Sequence, residues 1–189
     1  MSKYIGLDLS TVSTGYSIFD GSKLIEYGKI APSTSADTMD RIMEIVVRLE
    51  KVIQQHEAEV VTIEDVFYGS NYLTTKMLNR LAGAVFFMLK ENYGNKARIQ
   101  FVMPTDARKC FGLLPKSKKN HVIGAVNAKY DLTLGRKDDD TADAIVVGFS
   151  GIYKDTNGDE QYKKSEQKFF KTKVMGLKTP PMPGLKPRK

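Results

Sequence analysis

Hydrophobic periodicity changes along this chain in an order that few folds accommodate. Lys3 to Leu9 is a short β-branched and aliphatic run, Ser10 to Thr14 supplies small polar turn residues, and Gly15 to Phe19 resumes an extended pattern. Asp20-Gly21 is a hairpin signal, so Lys23 to Ile30 reads as the last of three antiparallel strands. From there the period lengthens. Ser35-Ala36-Asp37 is a helix cap, and Met39, Ile42, Met43, Ile45, Val46, Leu49, Val52 and Ile53 recur at helical spacing as far as about His56. Val60 to Ile63 is too short and too β-branched for a helix and reads as a buried strand ending at Glu64-Asp65. Leu73 to Tyr93 is a second long helix, Arg98 to Met103 a fifth strand, and Pro104-Thr105 opens a short helix. Lys116 to Tyr130 and Thr141 to about Tyr153 complete the set, the last helix capped by Asp140.

Strand-strand-strand-helix-strand-helix-strand-helix is the order of an α/β protein, a mixed five-stranded sheet covered by helices. It is compatible with a ribonuclease H-like fold and does not by itself select one. The 189 residues, 41% of them hydrophobic, suffice for one core. Charge then divides the chain. Residues 161–189 hold nine basic residues against the single acid Glu166, a local +8, whereas the other 160 residues carry 20 cations and 21 anions, a local −1, which together give the overall +7. We therefore expect a domain over residues 1–153 and a basic, partly flexible extension over 154–189, in which Phe169, Phe170, Val174, Met175 and Leu177 argue that part of it docks. Such a tail suits a polyanion or simply solubility.

Other classes fall away. A lone Cys110 fits a reducing compartment better than secretion. No apolar run approaches the roughly 20 residues of a membrane span, and Asp8 would interrupt a signal peptide. A cytoplasmic protein without membrane contact is the expectation. His56 and His121 offer no metal pair.

Four carboxylates fall where such a fold would gather them. Asp8 lies mid-strand between Leu7 and Leu9, a costly position for a charge unless a partner compensates it. Glu64 ends a strand, and Asp140 and Asp143 share one face of a helix start. Together they make an oxygen-only set suited to hard divalent cations. Two such ions roughly 3.5–4 Å apart could activate water and stabilise a leaving oxygen in phosphodiester cleavage. Singly, Asp140 and Asp143 are also good helix-start residues and Glu64 an ordinary strand-end acid. The run Asp138-Asp139-Asp140 leaves the register open, and Asp65 is a spare, solvated acid.

Ile5-Gly6-Leu7-Asp8-Leu9-Ser10 with Thr14-Gly15-Tyr16, then Ile63-Glu64-Asp65-Val66-Phe67, then Asp140-Thr141-Ala142-Asp143-Ala144, resembles the motif set of RuvC-type Holliday junction resolvases, in order from about Lys3 to Phe149. The resemblance implies a ribonuclease H-like fold, a homodimer, and Mg-dependent paired nicking of four-way or other branched DNA, with Mn able to substitute and two ions per site. It implies Asp8, Glu64, Asp140 and Asp143 as the catalytic metal ligands. Lys109 and Lys119 fall where the family keeps basic residues near the scissile phosphate, and Phe67, with Tyr68 beside it, where an aromatic stacks on bases near the junction centre. Stacking of that kind is worth about 1–3 kcal/mol per base; the alternative is that Phe67 packs under the Gly69 loop. Lys116, Lys118 and Lys119 either contact phosphate or form a solvated helix start, although cations there oppose the helix dipole. Residues 154–189 have no counterpart in the bacterial pattern and bring to mind phage or viral versions.

Two other readings compete. Asp8-Leu9-Ser10-Thr11 before Gly15 also resembles the first phosphate loop of actin-like or sugar-kinase ATPases, which need a second glycine-rich loop and a second domain. A non-catalytic junction-binding module would keep the fold and the basic surface, but it would have no use for all four carboxylates.

Overall fold

In a computed structural model that describes residues 2–65 and 72–169, the side chains of 158–169 excepted, one sheet organises the chain. Its strands are β1 (Lys3–Asp8), β2 (Thr14–Asp20), β3 (Lys23–Ile30), β4 (Val60–Glu64) and β5 (Arg98–Val102). They lie in the order β3-β2-β1-β4-β5. The first three are antiparallel, whereas β4 runs parallel to both β1 and β5. Parallel neighbours need a crossover. Helices α1 (Thr38–Ile53) and α2 (Tyr72–Tyr93) lie on those connections, and both pack on one sheet face through Ile42, Ile45, Leu49, Ile53, Leu81, Val85 and Leu89. The expected cap is there: the Asp37 carboxylate accepts from the backbone N–H groups of Met39 and Asp40.

The other face is covered by α3 (Pro104–Cys110), α4 (Lys119–Tyr130) and α5 (Asp139–Phe169), whose Val122, Val126, Ile145, Val146 and Val147 are buried there with Phe19 and Val102. Glycine lets α5 lie against the strands. A Cβ on Gly6 would fall inside the backbone of Ala144 and Gly148, and one on Gly15 would lie 2.6 Å from the Asp140 carbonyl carbon. Backbone that close cannot yield, so a side chain at either position would lift the helix away. Ser17 fixes the rotation of α5 by donating a buried hydrogen bond of 2.7 Å to the Ala144 carbonyl.

Three boundaries differ from the sequence expectation. Helix α4 starts at Lys119 and not at Lys116; Lys118 takes the extended N-cap conformation, leaving Lys116 and Lys118 in the preceding loop. A single 3-10 turn, Arg136–Asp138, precedes α5, so Asp140 lies inside the first turn and does not cap it. Helix α5 also passes Tyr153 and Gly158 without a break. Thr156 and Asn157, which look like turn formers, instead hydrogen-bond back to the Ile152 and Tyr153 carbonyls, and Gly158 costs only about 1 kcal/mol in a helix.

Candidate active site

The register of β1 and β4 brings the first two acids together. Leu7 lies opposite Ile63 in the parallel ladder, so Asp8 and Glu64 are the next residues on adjacent strands, both at the carboxyl end of the sheet. Leu7 and Ile63 are fully buried and anchor the two strands from within the core. Beyond Asp8 the chain turns sharply. Thr14 Oγ1 donates to the Ser10 carbonyl at 2.8 Å and accepts from the Ser10 N–H at 3.2 Å, which closes the loop. Asp140 and Asp143 come down from the first turn of α5, placed by the close approach of that helix over Gly15.

The electrostatics show the convergence. Burial pushes the Asp8 carboxyl well above its ordinary range, and the charges of Glu64, Asp143 and Asp140 push it further. Glu64 is raised to about 7, first by burial and then by Asp143. Asp143 is raised by burial too, with Arg108 and Lys119 opposing. Such a set gains from any cation that enters it. The donors are all carboxylate oxygens, the chemistry of hard divalent ions, so the residues fit a magnesium-like metal. Among the described residues, no three His, Cys, Asp or Glu side chains already stand at metal-ligand distances.

Three cations ring the acids. Arg108 Nη2 lies 3.6 Å from Asp143 Oδ1, with both side chains largely shielded, at 20% and 13% exposure. Lys119, the first residue of α4, hydrogen-bonds Asp139. Lys29 on β3 pairs with Asp138 at 3.1 Å, while the Gly135 N–H donates to the same carboxylate at 3.0 Å. The aspartate run is thereby divided: the Gly135 N–H and then Lys29 hold Asp138 below the usual carboxylate range, and Lys119 does the same for Asp139. Asp140 is the member whose charge acts on Asp8.

Lys109 pairs with Asp106 one turn back on α3 at 3.1 Å, and the neighbour that reaches Asp143 is Arg108, which sequence reasoning passed over. Adjacent residues on a helix point about 100° apart, so only the register of α3 on α5 decides between them. Lys116 and Lys118 are exposed in the α3–α4 loop, Asp65 is exposed beside Glu64, and Cys110 is buried. Phe67 and Tyr68 lie outside the described residues. No helix among the described residues is long and apolar enough to cross a membrane.

Residues 4–150 match the family model described as crossover junction endodeoxyribonuclease RuvC. The chain is 26% identical to the RuvC of Alkaliphilus metalliredigens, over 76% of this chain and 88% of that one, and 29% identical to the Campylobacter jejuni protein, over 78% and 92%. Among solved structures, Thermus thermophilus RuvC in complex with a Holliday junction superposes with a TM-score of 0.71, at 16% identity, covering 84% of this chain and 97% of that one. The yeast mitochondrial Holliday junction resolvase gives 0.59 at 14% identity, covering 88% and 84%. The structural likenesses show the mixed five-stranded fold with its helices. By the match to its sequence from residue 4 to residue 150, the chain belongs to the crossover junction endodeoxyribonuclease RuvC family.

Proposed function

We propose that this chain cleaves Holliday junctions and related branched DNA as a homodimer, making paired nicks with magnesium, two ions per site, at Asp8, Glu64, Asp140 and Asp143. The observation that carries the reading is the register that sets Asp8 beside Glu64 at the sheet end, under the first turn of α5. What a divalent pair supplies when bound is an activated attacking water and a stabilised leaving oxygen. Manganese, equally at home among oxygen donors, substitutes. The protein's own part is to hold four carboxylates in a half-buried pocket and to set cations around it. Lys119 and Arg108 lie on the carboxylate side and are suited to the scissile phosphate; Lys109, Lys116 and Lys118 extend the cationic surface along the backbone. Phe67 and Tyr68, which follow Glu64 in the sequence, are the aromatic residues assigned to stacking on unstacked bases.

The second copy is expected along α2. Tyr72, Leu73, Phe86 and Phe87 are exposed there, Phe87 at 66%. A Cβ on Gly83 would meet nothing within 4 Å, which leaves a flat spot where another helix can approach closely. Residues 1–153 then form the nuclease unit, and the basic extension over 154–189 tracks the DNA arms.

Incubation with four-way, three-way and linear duplexes in Mg, with nicks mapped on every strand, tests the reading. Symmetric nicks on two strands of the four-way junction and little cutting of linear duplex are expected. Equal cutting of linear duplex would overturn junction selectivity.

A further inference from the structure

The ammonium of Lys119 is already engaged before any DNA arrives. It hydrogen-bonds Asp139, and this bond is the largest influence holding the two groups charged. Lys119 is a poor choice for the start of α4, because a cation in the first turn opposes the helix dipole and the N-cap Lys118 makes no capping hydrogen bond. Asp139 stands at the edge of the four acids: its charge acts on Asp143 but is not among those that raise Asp8 or Glu64. The exposures are unequal. Lys119 is 62% exposed and Asp139 23%, so the carboxylate lies beneath and the ammonium faces out. An ammonium has three donors, and this one has capacity to spare on its open side.

We propose that Asp139 is a positioning residue that stands in for a DNA phosphate: it keeps Lys119 at the mouth of the carboxylate site and gives it up to the phosphate to be cut. The inference rests on the nuclease reading above. Its physical basis is an exchange of one anion for another. A lysine swings from a one-charge carboxylate to a one-charge phosphate, so the site carries an organised cation at all times and binding there gains little net charge neutralisation. The arrangement disfavours any anion that cannot outcompete a tethered carboxylate, and it keeps Lys119 from collapsing onto Asp8, Glu64 or Asp143, on all of which its charge already acts.

The test measures affinity for a four-way junction in EDTA over a range of KCl concentrations, using the full-length chain. Asp139→Asn frees Lys119, so the junction should bind up to about five-fold more tightly at low salt, the worth of an exposed ion pair. The slope of log K against log salt should steepen by about 0.9, one more phosphate neutralised. Asp139→Glu, which restores the anion, should return both to wild type. In a Lys119→Met background, Asp139→Asn should change neither quantity. Unchanged binding in Asp139→Asn, or the same tightening without Lys119, would overturn the proposal, the latter by showing a general charge effect. A wild-type chain that neither binds nor nicks branched DNA would instead overturn the nuclease reading.

Discussion

Glu64 shows how much a single position can reveal. Its carboxyl is raised from an ordinary 4.5 to about 7 by burial and by Asp143, and Asp8 and Asp143 shift the same way. An acid whose folded-state pKa is raised stabilises the fold fully below its unfolded pKa and loses that contribution as pH rises through the folded value. Asp138 and Asp139 are shifted downwards, so their contribution changes below the ordinary 3.8, outside that window. The metal-free protein should therefore lose thermal stability between about pH 4.5 and pH 7. At this size each kcal/mol is worth about 2–4 °C in Tm, and several degrees should be lost. Added Mg at pH 8 should return them. A Tm indifferent to Mg at pH 8 would contradict a cation site among these acids. At this scale the sequence was most legible where chemistry conflicts with surroundings: Asp8 between Leu7 and Leu9 could hardly be structural. It was least legible where neighbours are chemically alike. Nothing in Arg108-Lys109 or Asp138-Asp139-Asp140 says which member turns inward until helix register and the lysine partners settle it.

Among the elements, α2 is the informative one. Its inner residues Leu81, Val85 and Leu89 are fully buried, and its outer face from Tyr72 to Lys90 carries lysine and arginine but no acid. Leu73 and Phe87 are exposed on that face, and Phe86 beside them is partly so. Phe87→Glu should convert a dimer to a monomer in light scattering, since facing copies would bring two carboxylates into an apolar seam; its Tm at fixed low concentration should change little. A variant that stays dimeric would place the interface elsewhere. All five strands and the long helices were readable from period alone. Helix ends were not, because Thr156 and Asn157 satisfy either a turn or a helix equally well, and the intrahelical bonds to Ile152 and Tyr153 decide in favour of the helix.

The molecule as a whole joins two opposed electrostatic tasks. Its acids are collected at one end of the sheet by the parallel pairing of β1 with β4, and its cations stand close by on β3, α3 and α4, the arrangement on which the proposed phosphate and metal binding rests. The sequence displays that opposition only as a sum, +7, and as a steep imbalance in residues 161–189. The arrangement in space comes from Gly6 and Gly15, which allow α5 to lie close enough to bring Asp140 and Asp143 over Asp8 and Glu64.

Asp8→Asn tests that arrangement most directly, because it removes one charge at the most constrained position and alters little else. The variant should bind a four-way junction with near wild-type affinity in EDTA while its nicking rate in Mg falls by at least about 10²-fold, the scale of losing one element of electrostatic stabilisation. Nicking at the wild-type rate by a folded Asp8→Asn protein would contradict the site assignment.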